Sequence, residues 1–306
     1  MRQPIISLCL PTNGVAEWVF PVLNSIYSQN LESDRFEVIV TNNGNNEQFH
    51  QMMIDYAAQH GNLVYKKTDA YLFDNQLETL KMASGAFLKF VNHRSILIPG
   101  GLQFLVDSIE KNRNEKPSMY FSNGALENDF TCTSFDEYVA CLRRYASWTT
   151  GVGIWKEDYE KIPENQVFDK ISPHSAILFS ERRKSKYLIL NQVFSRDIET
   201  GHSKKGTYDL FKAFGVEELF ITQKLYVDGD ITAATFKSVK EDYKRFVASL
   251  YWDFCIRKIP CSYDLSGFDD AMGIYFNKYD ILVRAYCQGA KRLVEKIMKT
   301  LSSVVE

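Results

Sequence analysis

Four polar residues, Asn92, His93, Arg94 and Ser95, follow directly on the apolar run FLKFV at 87–91. A guanidinium fork binds phosphate oxygens two at a time, so Arg94 offers a site for a phosphate or diphosphate. A solvated turn without a role is the alternative. A second cationic stretch is SRDIETGHSKKGTYDLF at 195–211, where His202, Lys204 and Lys205 stand between Gly201 and Gly206. Lysines beside a glycine hinge suit a flexible cationic loop; an ordinary exposed loop is the rival reading. The six cysteines, Cys9, Cys132, Cys141, Cys255, Cys261 and Cys287, show no CxxC spacing. Reduced structural thiols are expected rather than a zinc or redox site.

The elements that must position these residues read as alternating strands and helices. IISLCL (5–10) and FEVIVT (36–41) are continuous apolar runs, as buried parallel strands require. Leu63–Lys67 and Ala86–Val91 make a third and fourth strand. Between them lie helices over Glu17–Gln29, over 47–60 and from Asp74 to Gly85. The first carries Val19, Val22, Leu23, Ile26 and Tyr27 on one face. Short loops between such elements argue for an α/β fold with a parallel sheet covered on both faces. Ligands of such sheets bind beyond the carboxyl ends of the strands, which directs attention to loops 11–14, 42–47 and 92–95.

The second half is less regular. Met119–Phe121, Gly151–Trp155 and Ser185–Phe194 read as strands, and Ser134–Tyr145 as a helix opened by a capping box of Ser134 and Glu137. Residues 207–225, 239–258 and 277–303 read as helices. No internal repeat or low-complexity linker is visible. The organisation expected is a domain over 1–235 and a helical C-terminal extension over 236–306.

A net charge of −2 with 24% charged residues gives no footprint for nucleic acid. No run approaches the roughly 20 apolar residues of a membrane span. The N-terminus, MRQP, runs straight into a strand and leaves no room for a signal peptide, so a cytoplasmic location is expected.

Strand-PTNG, SIYSQ, EVIVTNNG, DNQLETLKMASG, AFLKFV and ILIPGGL stand in an order that resembles family 2 glycosyltransferases with the GT-A fold, a Rossmann-like mixed, mainly parallel sheet. The resemblance covers about 4–110 well and continues weakly to about 225. WTTGVGIWKEDYEKI (148–162) and ISPHSAILF (171–179) resemble a subset that builds bacterial O-antigens and capsules, the abequosyltransferase-like enzymes. The resemblance implies an inverting transfer from a nucleotide sugar to a hydroxyl of a glycan or lipid-linked saccharide. It implies that Pro11, Thr12, Asn13, Asn42 and Asn75 bind the nucleotide. Asn92, His93 and Arg94 fall where the family holds a divalent metal with an acidic triplet.

The chain departs from that pattern at three points. Without a carboxylate at 92–94, Arg94 would supply the charge that a metal otherwise gives the diphosphate, aided by His202, Lys204 and Lys205. No cofactor is then required. A Mn²⁺ or Mg²⁺ ion held through His93 and the diphosphate is the less favoured reading. At the family's catalytic-base segment stands Pro173-His174, with Asp169 upstream in VFDKI. His174 titrates near neutral pH and is preferred as base; Asp169 is the rival, and a helix-cap or core histidine is the plain alternative. Asn42 replaces an acidic base reader. Its amide both donates and accepts, so uridine stays open and cytosine gains ground.

The last helix, RAYCQGAKRLVEKIMKTLSSVV (284–305), carries Arg284, Lys291, Arg292, Lys296 and Lys299, with Leu293, Ile297 and Leu301 as an apolar stripe. A basic amphipathic helix suits peripheral membrane contact. Packing on its own domain, or on a second copy as a homodimer, is the plainer alternative. A non-catalytic relative that serves a glycan assembly complex is the rival to an enzyme.

Overall fold

The computed structural model describes residues 3–199 and 207–305. The chain divides into two compact units, Met1–Ile198 and Glu199–Glu306. In the first, the parallel strands β1 (Ile6–Thr12), β2 (Phe36–Asn42), β3 (Leu63–Lys67) and β4 (Phe87–Phe90) form the main sheet. Every residue of β1, β2 and β4 except Pro11 is buried, which is why these stretches are apolar without alternation. The register pairs Thr12 with Asn42 and Cys9 with Phe90, so the loops after β1, β2 and β4 leave from one edge.

Amphipathic helices cover the sheet. α1 (Ala16–Tyr27) buries Trp18, Val19, Val22, Leu23 and Ile26, and α2 (Glu47–Ala58) buries Phe49 and Met53. α3 (Asn75–Met82) follows a short 3₁₀ turn, and α4 (Gly101–Lys111) buries Leu102, Leu105, Val106 and Ile109.

The remaining strands are short. β5 (Ser95–Leu97) follows directly on the loop after β4; β6 (Ser118–Phe121) and β7 (Phe130–Cys132) come next. Helix α5 (Phe135–Leu142) starts where expected: Ser134 Oγ accepts the Glu137 N–H at 3.2 Å. The Glu137 carboxylate takes the Thr133 N–H at 3.0 Å rather than that of Ser134. β8 (Gly153–Trp155) lies antiparallel to β4 and completes a mixed five-stranded sheet in the order β3-β2-β1-β4-β8. After α6 (Lys156–Tyr159) and α7 (Pro173–Leu178), β9 (Tyr187–Leu190) pairs with β6 and β7, and β10 (Ser195–Asp197) pairs antiparallel with β5. The long strand expected over 185–194 is thus shorter. β5, β7 and β10 had no counterpart in the sequence reading.

Two charged features lie inside this unit. Lys89, in the middle of β4, is wholly buried, and its Nζ donates to the carbonyls of Phe90 (3.1 Å) and Thr150. The Phe121 and Phe194 rings lie 5.2 and 5.4 Å from it. Burial holds its pKa down at about 7. Glu181 is likewise buried, with Lys184 Nζ 3.5 Å from Oε1, and the same ammonium pairs with Asp158. Burial pushes the Glu181 carboxyl up to about 8, while Asp158 is held below the usual range by its bonds to Lys161 and Lys184 against its own burial.

The second unit is helical. α8 (Leu210–Lys212) continues through a π-helical stretch, Ala213–Glu217, into α9 (Glu218–Val227). α10 (Ala233–Tyr251), the short α11 (Phe268–Ala271) and α12 (Lys278–Val305) complete it. Ile281, Ala285 and Gly289 of α12 face inward, and Arg284 pairs with Glu241 of α10 at 2.7 Å. Tyr279, Val283 and Tyr286 stand exposed on the other side. The side chains of Leu293, Ile297 and Leu301 lie outside the described residues. Among the described residues no helix is long and apolar enough to cross a membrane.

Candidate functional site

In the sheet order, β1 has β2 on one side and β4 on the other, so the chain reverses its direction of travel between β1 and β4. A crevice opens at the carboxyl ends of two such strands. The loops after β1 and β4 meet there: Thr12 Oγ1 lies 2.9 Å from His93 Nδ1. The same oxygen accepts the Gly14 N–H at 3.1 Å. Burial, with Arg94 beside it, drives the His93 pKa down to about 3, so the ring is neutral. It stands edge-on to Trp18 at 5.1 Å.

Arg94 lies over the same indole, its guanidinium carbon 5.4 Å from the ring centroid. Its Nη1 is buried and has no hydrogen-bond partner among the described residues. Its backbone is fixed from both sides: its N–H donates to Asn92 Oδ1 at 3.0 Å and its carbonyl accepts the Ile198 N–H at 2.8 Å. Ser95 Oγ donates to Asp197 Oδ1 at 2.5 Å. Asp197 is a carboxylate that sequence reasoning passed over. The cue was available in SRDIE, but its lysine neighbours drew the attention.

On the nucleotide side, the three predicted amides have distinct positions. Asn13 is exposed. Asn42 is wholly buried; its Oδ1 accepts the Gly44 N–H at 2.8 Å and its Nδ2 reaches Tyr65 Oη at 3.3 Å. Gly44 must be glycine, because a Cβ there would lie 1.9 Å from the Asn13 carbonyl oxygen. Asn75 is buried under both loops. Its Nδ2 donates to the carbonyls of Thr12 (3.1 Å) and Thr41 (3.0 Å), and its Oδ1 accepts from Thr68 Oγ1 at 2.9 Å. These bonds use both N–H groups of the Asn75 amide, so it fastens the loops that carry the crevice.

His174 and Asp169 come together at the start of α7, which packs on α3, on β8 and on the 3₁₀ stretch Arg143–Ser147. His174 is only 5% exposed, its Nε2–H donates to the Ser147 carbonyl at 2.9 Å, and its Nδ1 is buried without a partner among the described residues. Burial lowers its pKa to about 4 against the opposing pull of Ser147 and Asp169. The residue preferred from sequence as base is therefore walled in. Asp169 is partly exposed; its Oδ1 accepts the N–H groups of Ile171 and Ser172, both at 2.8 Å, ahead of the helix. Its second oxygen makes no hydrogen bond among the described residues. His202, Lys204 and Lys205 lie outside the described residues.

A divalent cation of the Mn²⁺ or Mg²⁺ kind requires several hard oxygen donors. At the end of β4 the donors are already engaged: Asn92 Oδ1 by Arg94, His93 Nδ1 by Thr12, and Asp197 Oδ1 by Ser95. Among the described residues no group of three His, Cys, Asp or Glu side chains is placed to share an ion. These residues do not fit a resident metal.

No protein-family model and no curated protein sequence matches the chain. Solved structures do. Residues 1–349 of TarS from S. aureus in complex with UDP-GlcNAc match with a TM-score of 0.60 at 14% identity, over 90% of this chain and 80% of that one. The same protein in complex with UDP gives 0.61 at 13% identity over the same shares. The mannosyltransferase PcManGT from Pyrobaculum calidifontis, in complex with GDP-Man and Mn²⁺, gives 0.50 at 12% identity, over 94% and 88%. At this identity the likeness establishes the fold: the α/β GT-A-like architecture with a mixed, mainly parallel sheet and C-terminal helices.

Proposed function

We propose that the chain is an inverting, metal-independent glycosyltransferase that moves a sugar from a nucleotide-sugar donor to a hydroxyl of a surface-polysaccharide precursor, an O-antigen or capsule glycan on a lipid carrier. The observation that carries this reading is the buried guanidinium nitrogen of Arg94, without a partner among the described residues, on the loop that the Thr12–His93 bridge joins to the loop after β1. A diphosphate is a natural partner for such a group, because an unpaired buried N–H is costly and a phosphate oxygen satisfies it with a charge-assisted bond. The related folds solved with UDP-GlcNAc, UDP and GDP-Man support a nucleotide sugar as the ligand class.

In the reaction, the acceptor hydroxyl oxygen bonds to the anomeric carbon as that carbon's bond to the diphosphate breaks. Negative charge gathers on the departing diphosphate, where Arg94 meets it. The hydroxyl proton passes to a base. Asp169 takes that role: it is accessible, it has a free oxygen, and two backbone N–H groups hold its other oxygen in place. His174, neutral and enclosed, positions the neighbouring Ser147 segment. Pro11, Thr12 and Asn13 flank the nucleotide, and Asn42 and Asn75 hold the loops that receive it.

The rival reading, a non-catalytic nucleotide-binding subunit, draws on the missing carboxylates at 92–94. A thermal-shift panel of UDP, CDP, GDP and dTDP, each with Mn²⁺ and with EDTA, separates the cases. Stabilisation by one nucleotide that persists in EDTA is expected. Stabilisation only with Mn²⁺ removes metal independence. No response to any nucleotide removes the transferase.

A further inference from the structure

The stretch YASWTT (145–150) spans two short 3₁₀ turns that meet at Trp148, and its carbonyl groups are gripped by side chains from three separate elements. Tyr120 Oη of β6 donates to the Tyr145 carbonyl. Ser175 Oγ and His174 Nε2 of α7 donate to the carbonyls of Ala146 (3.4 Å) and Ser147 (2.9 Å). Lys89 Nζ of β4 donates to that of Thr150. Tyr120, Ser175 and Lys89 are wholly buried. Phe90 N–H, bonded to the Val152 carbonyl at 3.1 Å, ties the end of the segment to the carboxyl end of β4. Gly151 lies so near Tyr120 that a Cβ would come within 2.2 Å of its ring. These bonds fix the backbone on either side of Trp148.

Trp148 stands in the middle. It packs against the main core and remains partly exposed, and its indole N–H has no hydrogen-bond partner among the described residues. A rigidly held aromatic with one polar tip left free is the arrangement that receives a flat, amphipathic ligand. A pyranose ring is such a ligand. Its axial C–H face packs on an indole and its hydroxyls accept from the indole N–H. The neighbouring residue Ser147 is held by His174, in the first turn of the helix that Asp169 precedes. From this geometry we infer that segment 145–150 is a pyranoside-binding platform with Trp148 as its stacking face. The role of the bound sugar as acceptor rests on the transferase reading above; the binding itself does not.

The test is saturation-transfer NMR with the methyl pyranosides of glucose, galactose, mannose and N-acetylglucosamine on the wild-type chain, Trp148→Ala and Trp148→Phe. Transfer to the C–H protons of at least one pyranoside is expected. It should weaken by about tenfold in Trp148→Ala and be largely kept in Trp148→Phe. Nucleotide-induced thermal stabilisation should be the same in all three proteins. The inference is overturned if no pyranoside receives saturation in the wild type, or if Trp148→Ala retains the signal. It is also overturned if Trp148→Ala loses nucleotide stabilisation along with the sugar. A wild type that binds a pyranoside but no nucleotide sinks the transferase reading and leaves the platform standing.

Discussion

Replacing Asn75 by alanine separates a scaffold amide from a ligand contact. The side chain is 3% exposed and makes three hydrogen bonds, to Thr12, Thr41 and Thr68. Each is worth about 1 kcal/mol net, so their loss should cost about 3 kcal/mol. The Thr12 carbonyl keeps the Asn43 N–H at 3.1 Å, so no further penalty is added for it. For a unit of this size, 1 kcal/mol shifts Tm by roughly 2–4 °C, which gives a fall of about 6–12 °C. Asn75→Asp should fall further, because a carboxylate would face two carbonyl oxygens. Differential scanning calorimetry reads the stability, and isothermal titration with the nucleotide found in the thermal panel reads the binding. A variant that melts within about 2 °C of the wild type yet binds its nucleotide more than tenfold worse would refute the reasoning and make Asn75 a direct contact.

Three further outcomes are expected. Arg94→Met keeps the packing on Trp18 but removes the charged donors, and should weaken a nucleoside diphosphate by about 100-fold or more while barely changing the monophosphate; equal losses for both would move Arg94 off the diphosphate. Asp169→Asn should lower kcat by about 10²–10⁴ with donor affinity kept, whereas His174→Gln should cost less in kcat and more in Tm; the reverse ranking would return the base to His174. Glu181 has its carboxyl raised from 4.5 to about 8, so the native state binds the extra proton. The stability this contributes is present below pH 4.5 and is lost as pH rises through 8. The Tm difference between wild type and Glu181→Gln should therefore move in favour of the variant across that window; a difference independent of pH would show that Glu181 is ionised in the fold.

The frame of the fold was legible because its signals are local. IISLCL and FEVIVT could only be strands buried on both faces, and the stripe on α1 named the helix side that packs. β5 and β10 were not legible for the opposite reason. Each has three residues of mixed polarity, and each exists only through the other, as Ser95 pairs with Asp197 across the chain. The site followed the same division. The strand ends alone directed attention to the loops at 11–14, 42–47 and 92–95. What their side chains do was not, because that depends on partners remote in sequence. The amide of Asn75 is used up by carbonyls of β1 and β2, and the imidazole of His174 by Ser147. Nothing in PHSAIL indicates that its histidine is enclosed, whereas the N–H groups that hold Asp169 come from its own next residues.

The order in which the main sheet is supplied has a consequence for how such a chain can change. β1 to β4 and the loops that form the crevice are complete by Ser95, and β8, antiparallel at the far edge, arrives some sixty residues later together with the 145–150 segment and α7. The residues proposed for the donor and those proposed for the acceptor thus occupy two consecutive blocks of the chain, joined in space mainly along the β4–β8 edge. Drift or recombination in the second block can remodel the proposed platform without disturbing the first, provided that the Lys89 anchor and the glycine facing Tyr120 are inherited. Divergence among chains of this architecture should concentrate behind that junction, and grafts of residues 143–180 are the natural unit for exchanging acceptor preference.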